Sequence, residues 1–566
     1  MHLSPGVPRG FLFAWFPGQP TFPCEVNIRT MPPVPKLPWV ILVFCLLVLY
    51  LTLFFRLGSP AYMGADEARY ARVAEEMLAR GQYLTPRLEG APWLEKPPLL
   101  YWLEAASFRL WGISEGAARF PSALLGVLTA LLTGGLAWTL AGFRAGLMSC
   151  LMLATSALFV GWFRTASTDA PLTAALTAAL VCGFRAAQSR RILWMGLAGA
   201  ALGLAVLAKG PVALILLGGI FAVYFAIRQE FPWSFAQTAV GALTTLLVAL
   251  PWFWLAWLEN GYDFLLTFWL NHHIARFISD IHHHSQPFWY YLPVLLFGFF
   301  PWIFFIGSAW RRTWSRRDEL DENPALQGEV FLWIWAAVPL LFFSASRSKL
   351  AGYILPILPA LSILAALVWD RYAGIDLRVY RHFKIELKAM RLFILFLSAA
   401  IPLAMAHFYG SLPLGILMAL PLWLGLLLLA LPLGKSEPAA AFLTVVAMMT
   451  LFICSAYGPA ASTIEAHHSA REAVLAVRPR LSQAQPLVFY RYFHHTARYY
   501  AGYQARMESI GSLDGLIDYF RRGSQQSYPV LTKKDGWKDL EAYFECRIIH
   551  HQGNLYLAEV RSPFSP

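Results

Sequence analysis

The residues able to do chemistry gather at the ends of long apolar runs. They are Asp66-Glu67, Arg69 and Tyr70, then Glu95-Lys96, Asp169, Lys209, His272-His273, Arg276, Arg347, Lys349 and, one turn further on, Tyr353. Ionisable groups beside lipid are costly and usually functional. Carboxylates can move protons, and Lys or Arg can hold anions as a point charge or as a bidentate fork. Imidazole with carboxylate suits Zn²⁺, or Mn²⁺ where oxygen ligands dominate. The chain has no fixed ligand spacing such as H-E-x-x-H among Glu95, His272, His273 and His282–His284. The triple His282–His284 reads as a solvated loop run, which leaves Glu95 with His273 as the candidate metal pair.

The elements that must position these groups are membrane helices. Of the 566 residues 58% are hydrophobic and only 14% charged, against roughly 45–50% apolar and 25% charged in a soluble domain. Thirteen apolar stretches fit spans of about 20 residues: near 38–55, 121–141, 145–163, 171–187, 193–208, 211–227, 235–257, 288–309, 328–345, 351–369, 392–408, 412–433 and 439–457. The net charge of +12 is placed unevenly along them. One set of connections carries Arg144, Arg185, Arg190, Arg191, Arg228, Arg311, Arg312, Arg316, Arg317, the basic run from Arg371 to Arg391, and Lys435. The opposite short loops carry Arg164, Lys209, Arg276, Arg347 and Lys349. The positive-inside rule therefore predicts thirteen spans with the N-terminus inside and the C-terminus outside. It also accounts for the basic excess without nucleic acid. Four of the six cysteines lie in apolar runs, and no disulfide framework is expected.

The sequence divides into a cytoplasmic extension over 1–36, a membrane domain over 37–457 with long outer loops at 56–120 and 258–287, and an outer α/β domain over 458–566. Met31 stands before the first span as an alternative start. The first loop holds two amphipathic stretches, one with Tyr70, Val73, Ala74, Met77 and Leu78 on one face and one from Pro97 to Trp111. Both are expected to lie in the membrane interface. In the outer domain, Ser469 with Glu472 reads as a capping box. Val488–Tyr492 and Tyr528–Thr532 read as strands, Leu513–Arg522 and Trp537–Phe544 as helices, and Arg547–His551 with Leu555–Val560 as a hairpin.

Taken alone, Asp66-Glu67 reads as a helix start, with Asp66 as cap and Glu67 favoured by the dipole. In the string Gly64-Ala65-Asp66-Glu67-Ala68-Arg69-Tyr70, directly after the first span, it resembles the first-outer-loop Asp-Glu signature of the GT-C glycosyltransferases. These include protein O-mannosyltransferases and bacterial relatives that use polyprenyl-phosphate sugars. Trp93-Leu94-Glu95-Lys96-Pro97-Pro98, Thr168-Asp169-Ala170-Pro171, Ala208-Lys209-Gly210-Pro211 and Tyr353-Ile354-Leu355-Pro356 are similar to further stretches of the bacterial members. The string His273-Ile274-Ala275-Arg276-Phe277 followed by Pro287-Phe288-Trp289-Tyr290-Tyr291 is similar to the loop of the aminoarabinose lipid A transferases.

The resemblance covers roughly residues 38–370. It implies an α-helical polytopic GT-C fold with a C-terminal soluble α/β periplasmic domain, in a bacterial inner membrane with its active site facing the periplasm. It implies inverting transfer of 4-amino-4-deoxy-L-arabinose from undecaprenyl phosphate to lipid A phosphates, without a covalent enzyme intermediate. Asp66, Glu67 and Asp169 are the expected catalytic acids. Lys96, Lys209, Arg69, Tyr70, Arg276 and Tyr353 are expected to bind the donor phosphate. Glu95 and His273 would hold Zn²⁺ or another divalent cation that positions a phosphate. No organic cofactor is implied, and the expected partners are the lipid-linked donor, a lipid A or other outer-leaflet acceptor and membrane lipids, for a monomer. A mannosyltransferase-like enzyme and a lipid-linked sugar flippase are the alternatives. A flippase needs charges along a path at the bilayer midplane, whereas these cluster at one face.

Overall fold

A computed structural model describes residues 39–268, 286–373, 377–430, 437–482, 485–502, 505–523 and 525–563. Helix occupies every one of the thirteen apolar stretches. Among the described residues nine helices are long and apolar enough to cross a membrane, and two further stretches are bent pairs. These pairs are Phe143–Ala154 with Ala157–Phe163, at 66°, and Phe288–Gly298 with Trp302–Trp314, at 108°. Two shorter apolar helices, Trp39–Leu53 (α1) and Val212–Arg228, complete the set. The chain is a multi-pass membrane protein.

Ion pairs fall into two sets that match the charge segregation in sequence. Arg144 meets Asp370, Arg228 meets Asp321, Arg311 meets Glu386 and Arg312 meets Glu329. The other set joins Arg119 to Glu67, Lys209 to Asp169 and Arg471 to Glu115. The strongly bent stretch near 288–314 links the two sets. Gln286 at its start accepts from Lys349 Nζ at 3.0 Å, while Arg312 at its end pairs with Glu329 at 3.0 Å.

Helix packing follows small residues, as expected where lipid supplies no hydrophobic drive between helices. Ile192–Lys209 lies so close to Phe235–Phe264 that a Cβ on Gly199 would come within 2.1 Å of the Gly241 carbonyl. Thr245 Oγ1 donates to the Gly199 carbonyl across the same seam, at 3.0 Å. Helix Phe235–Phe264 opens on a capping box of Ser234 and Gln237. The expected loop at 258–287 begins as a continuation of this helix, kinked at Gly261 with φ 58° and helical to residue 268. Apolar side chains such as Phe264 and Phe268 pack there against Trp252, which extends the helix past its polar boundary.

The apolar face of helix Ala65–Arg80 (α2), expected to meet the membrane interface, is covered by protein. Ala68, Ala71 and Ala74 are buried in one cluster with Ala105 and Phe108 of Leu99–Trp111 (α3) and with side chains of the C-terminal domain. The amphipathic pattern therefore records burial between protein layers. A two-residue ribbon, Arg87–Leu88 (β1) with Ala91–Pro92 (β2), links α2 to α3.

The C-terminal domain carries a five-stranded sheet of Leu487–Tyr490 (β3), Met507–Ile510 (β4), Ser527–Lys533 (β5), Cys546–Gln552 (β6) and Leu555–Arg561 (β7). Its order is β4-β3-β5-β7-β6, parallel over the first three strands and antiparallel beyond. Side chains alternate between its faces as strand geometry requires. Leu487, Phe489, Leu531 and Leu557 face α2 and its neighbours, while Val488, Tyr490, Val530 and Ala558 cover Leu516, Phe520 and Leu540 on the far side. Strand β4 and the helix His495–Ala501 were not expected from sequence. The Ser469 capping box is not formed. Helix Pro459–His468 runs up to Ser469, whose Oγ accepts from the Arg471 amide at 3.2 Å instead of from the residue at the third helical position.

Glu104 on α3 is fully buried, and neither carboxyl oxygen has a hydrogen-bond partner among the described residues. Burial, then the nearby Glu67 carboxylate, pushes its carboxyl well above the usual range. The folded state thus holds a proton that the unfolded chain releases above about 4.5. Stability is then fullest below that value and falls as pH rises toward the folded pKa. Glu104→Leu removes both the orphaned oxygens and this dependence. It is expected to stabilise by about 1–3 kcal/mol at pH 8, the gain shrinking toward pH 4.5. Thermal midpoints across that range check it; parallel curves for variant and wild type would reject it.

Candidate active site

Asp66 and Glu67 sit in the first turn of α2, behind Gly64, which makes no side-chain cap. Adjacent helical positions point about 100° apart, so the two carboxylates have different fates. Glu67 turns inward, with its side chain 10% exposed, while that of Asp66 is 57% exposed. Glu67 takes a bidentate fork from Arg119 at 2.9 and 3.0 Å and a hydrogen bond from the Ala166 amide at 3.0 Å. Arg119 also donates to the carbonyls of Leu57, Pro60 and Ala61. Arg164 donates to the carbonyls of Thr52 and Phe55 at the end of α1. These contacts fasten the start of α2 to the first three apolar stretches and hold Asp66 toward open space.

Asp66 pairs with Arg69 one turn on, and the Arg69 guanidinium lies 5.3 Å from the Trp93 ring centroid. Burial weakens the hold of Arg69 on its proton, but Asp66 and Glu95 more than offset this, and the net shift is upward. Tyr70 keeps its proton well above the usual range, through burial and the carboxylates of Asp66 and Asp169. Tyr70, on α2, is buried against Tyr101 of α3, with Asp169 near enough to act on it.

Asp169 begins helix Asp169–Ser189 behind Thr168, and Lys209 ends Ile192–Lys209. They form an ion pair at 12% and 13% side-chain exposure. Lys209 Nζ also lies 4.3 Å from the ring centroid of Tyr353. Three residues separated by up to 184 positions therefore meet, although Lys209 has no acid near it in sequence. Lys349 turns away from this group, donating to the carbonyls of Gln286 and Ser346. Glu95 and Lys96 are half-buried on the segment before α3, with Glu95 close enough to Arg69 to influence it. The structure gathers Asp66, Arg69, Tyr70 and Glu95, and sets Asp169, Lys209 and Tyr353 beside Tyr70. Arg276 and His273 lie outside the described residues. No group of three metal-ligating side chains occurs among the described residues.

Sequence reasoning missed the groups that hold this arrangement and those that the C-terminal domain brings to it. Arg119 ends the outer loop 56–120 and Arg164 lies in a short loop between apolar stretches, where sequence shows their charge but not that both are buried. Arg72 donates to the carbonyls of Arg498 and Tyr499, at 3.3 and 2.8 Å, which docks the C-terminal domain on α2. Tyr500 Oη donates to Glu115 at 3.0 Å and accepts from the Tyr62 amide at 2.8 Å. His495, on the same helix, is pushed down to about 4 by burial, Arg69 and His494, with Asp66 opposing. It stays neutral near the acidic end of the site.

Residues 95–257 match the family described as dolichyl-phosphate-mannose-protein mannosyltransferase. The chain is 36% identical over 317 residues to an undecaprenyl phosphate-alpha-4-amino-4-deoxy-L-arabinose arabinosyl transferase of Edwardsiella ictaluri, covering 55% of this chain and 56% of that protein. It is 33% identical over 348 residues to a second such protein, from Proteus mirabilis, covering 60% of each. The chain thus spans under two thirds of the length of the curated relatives it matches. Among solved structures it is similar to ArnT from Cupriavidus metallidurans bound to undecaprenyl phosphate, with a TM-score of 0.74 and 22% identity over 93% of this chain and 98% of that one. It is also similar, at a TM-score of 0.51 and 13% identity, to the archaeal oligosaccharyltransferase AglB from Archaeoglobus fulgidus, over 88% of this chain and 69% of that one. The chain has the GT-C fold, and the resemblance read from its motifs is to the aminoarabinose transferases of that superfamily.

Proposed function

We propose that the protein is an inverting glycosyltransferase that moves 4-amino-4-deoxy-L-arabinose from undecaprenyl phosphate to phosphate groups of lipid A. It acts as a monomer on the periplasmic side of a bacterial inner membrane, with thirteen spans and the C-terminal α/β domain in the periplasm. The carrying observation is the meeting of Asp169, Lys209 and Tyr353 at one end of the helices, beside the Asp66–Arg69 pair. An acceptor phosphate oxygen forms the new bond to C1 as the donor's C1–O bond breaks. The electron pair leaves with undecaprenyl phosphate, which gains negative charge. Fixed cations at a low-dielectric boundary stabilise that change, and Lys209, Lys96, Arg69 and Arg276 supply them. Tyr353 and Tyr70 offer hydrogen bonds. The nucleophile is already an anion, so Asp66 has little proton to remove. Its exposed carboxylate instead faces the sugar ammonium and the positive charge that develops at C1. Asp169 holds Lys209 in place. Glu95 with His273 would hold a divalent cation such as Zn²⁺ that positions a phosphate. Relatives at 33–36% identity, named as undecaprenyl phosphate-alpha-4-amino-4-deoxy-L-arabinose arabinosyl transferases, support the donor and the sugar of this reading.

The test is mass spectrometry of lipid A from cells that make the donor, with and without the protein. The expected result is a lipid A mass increment of one aminoarabinose per modified phosphate. Asp66→Asn in membranes with labelled donor should lower transfer about 10²–10⁴-fold, the range for a positioned catalytic group. An unchanged lipid A profile rejects the acceptor, and near-wild-type transfer by Asp66→Asn rejects the role of Asp66.

A further inference from the structure

A cavity of about 180 Å³ opens between α2 and the C-terminal domain, away from the groups assigned above. It is lined by Arg72, Glu89, Arg498, Gly502, Ala505 and Met507. Arg498 pairs with Glu89 through Nη2, but its Nε is buried with no hydrogen-bond partner. Arg72 spends its own guanidinium on Glu75 and on two backbone carbonyls of the docked helix. A third guanidinium, Arg478, stands at the rim, 3.6 Å from where a Cβ on Gly502 would lie. Gly502 has φ +98°, which favours glycine and leaves that wall bare. Holding Arg498 here is unfavourable, because burial and then Arg72 lower its proton affinity. A bound anion would relieve this. A guanidinium fork suits the tetrahedral oxyanion of a phosphate, and the volume leaves room for part of the sugar that bears it.

From the geometry we infer that this cavity is an oxyanion subsite that grips a phosphate of the acceptor headgroup other than the one that reacts. The inference rests on the proposed function for the identity of the acceptor, and on the cavity alone for the oxyanion. Arg72 lies six residues from Asp66 on the same helix, about 9 Å along its axis. That is too far for the reacting phosphate and within reach of a second one on the same headgroup. Glu89 competes with the ligand for Arg498, so its removal should tighten binding, a gain that misfolding cannot mimic.

Two arms test the subsite on the full chain in nanodiscs. The first titrates inorganic phosphate calorimetrically. Wild type should bind saturably, Glu89→Gln several-fold tighter, and Arg498→Gln about tenfold or more weaker. Arg498→Lys should recover part of the loss. Absence of saturable binding in wild type, or equal affinity in all variants, overturns the subsite. The second arm compares transfer to bisphosphorylated and monophosphorylated lipid A. Wild type should show a KM about tenfold lower for the former. Arg498→Gln should erase that preference with kcat within about twofold. Phosphate binding without the preference overturns the acceptor assignment and leaves a site for free phosphate. No transfer by wild type with phosphate binding intact rejects the proposed function and leaves the oxyanion subsite standing.

Discussion

On the proposed function, Lys209→Met is expected to lower kcat for sugar transfer about 10²–10³-fold, the size of effect seen when one fixed electrostatic stabiliser is removed. Lys209 is held at 13% side-chain exposure between Asp169 and the Tyr353 ring, so its charge acts with little screening by water. The donor phosphate gains negative charge only as the C1–O bond breaks. The loss should therefore appear in kcat more than in KM for the donor. Lys209→Arg should retain part of the activity, because charge matters more than shape at a point contact. A competing account is that Lys209 merely neutralises Asp169. The double variant Asp169→Asn with Lys209→Met separates the two, since it removes the unpaired acid along with the amine. Steady-state transfer by the double variant should stay as slow as by Lys209→Met alone. Recovery toward wild type would show that Lys209 serves Asp169 and not the phosphate.

How much of this could be read beforehand depended on the range of each interaction. The apolar stretches and charge segregation are local properties, and among the described residues each stretch holds helix, down to the short pieces around Lys209. Helix Leu513–Arg522 is where periodicity and Gly523 placed it. The hairpin lies around Gln552-Gly553-Asn554 as its turn residues indicated, with strand ends one residue longer. Strand β4 was missed because Met507–Ile510 is short and lacks a run of β-branched residues, and pairing with β3 supplies what its local sequence does not. The face of α2 was recognised and its environment mistaken. A stripe of Tyr70, Val73, Ala74 and Met77 looks the same whether lipid or a protein layer covers it. Tyr70, Val73 and Met77 pack against Leu100 and Tyr101 of α3, and Ala74 against α3 and the C-terminal domain, whose docking through Arg72 joins residues 426 and 427 positions apart. The site shows the same division. Asp66, Asp169, Lys209 and Tyr353 were each visible as a charged or hydroxyl group at a helix end. That Asp169 and Lys209 form one unit, and that Glu67 is tied to Arg119, follows from packing across the fold.

That last contact carries the largest expected effect on stability. Arg119→Met should destabilise the protein by about 3–5 kcal/mol, the usual cost of leaving a buried charge without its partner. The variant strands the Glu67 carboxylate with the Ala166 amide alone, and it orphans the carbonyls of Leu57, Pro60 and Ala61. Glu67→Gln should also destabilise, because the Arg119 guanidinium keeps its three carbonyls but loses its counter-charge. The double variant should lose clearly less than the sum of the two, since it buries no charge at all. Thermal unfolding in detergent, followed by retention of monodisperse protein, measures all three. The same variants decide between anchoring and chemistry at Glu67. As an anchor, Glu67→Gln lowers the amount of folded protein while each folded molecule transfers sugar within about tenfold of wild type. As a group that touches the reacting atoms, it would leave the thermal midpoint in place and cost 10² or more in rate. The burial of Glu67 behind the fork of Arg119, beside an Asp66 that is 57% exposed, favours the anchor. On this reading the two adjacent acids divide the work, Glu67 fixing the start of α2 so that Asp66 meets the substrate at a constant position.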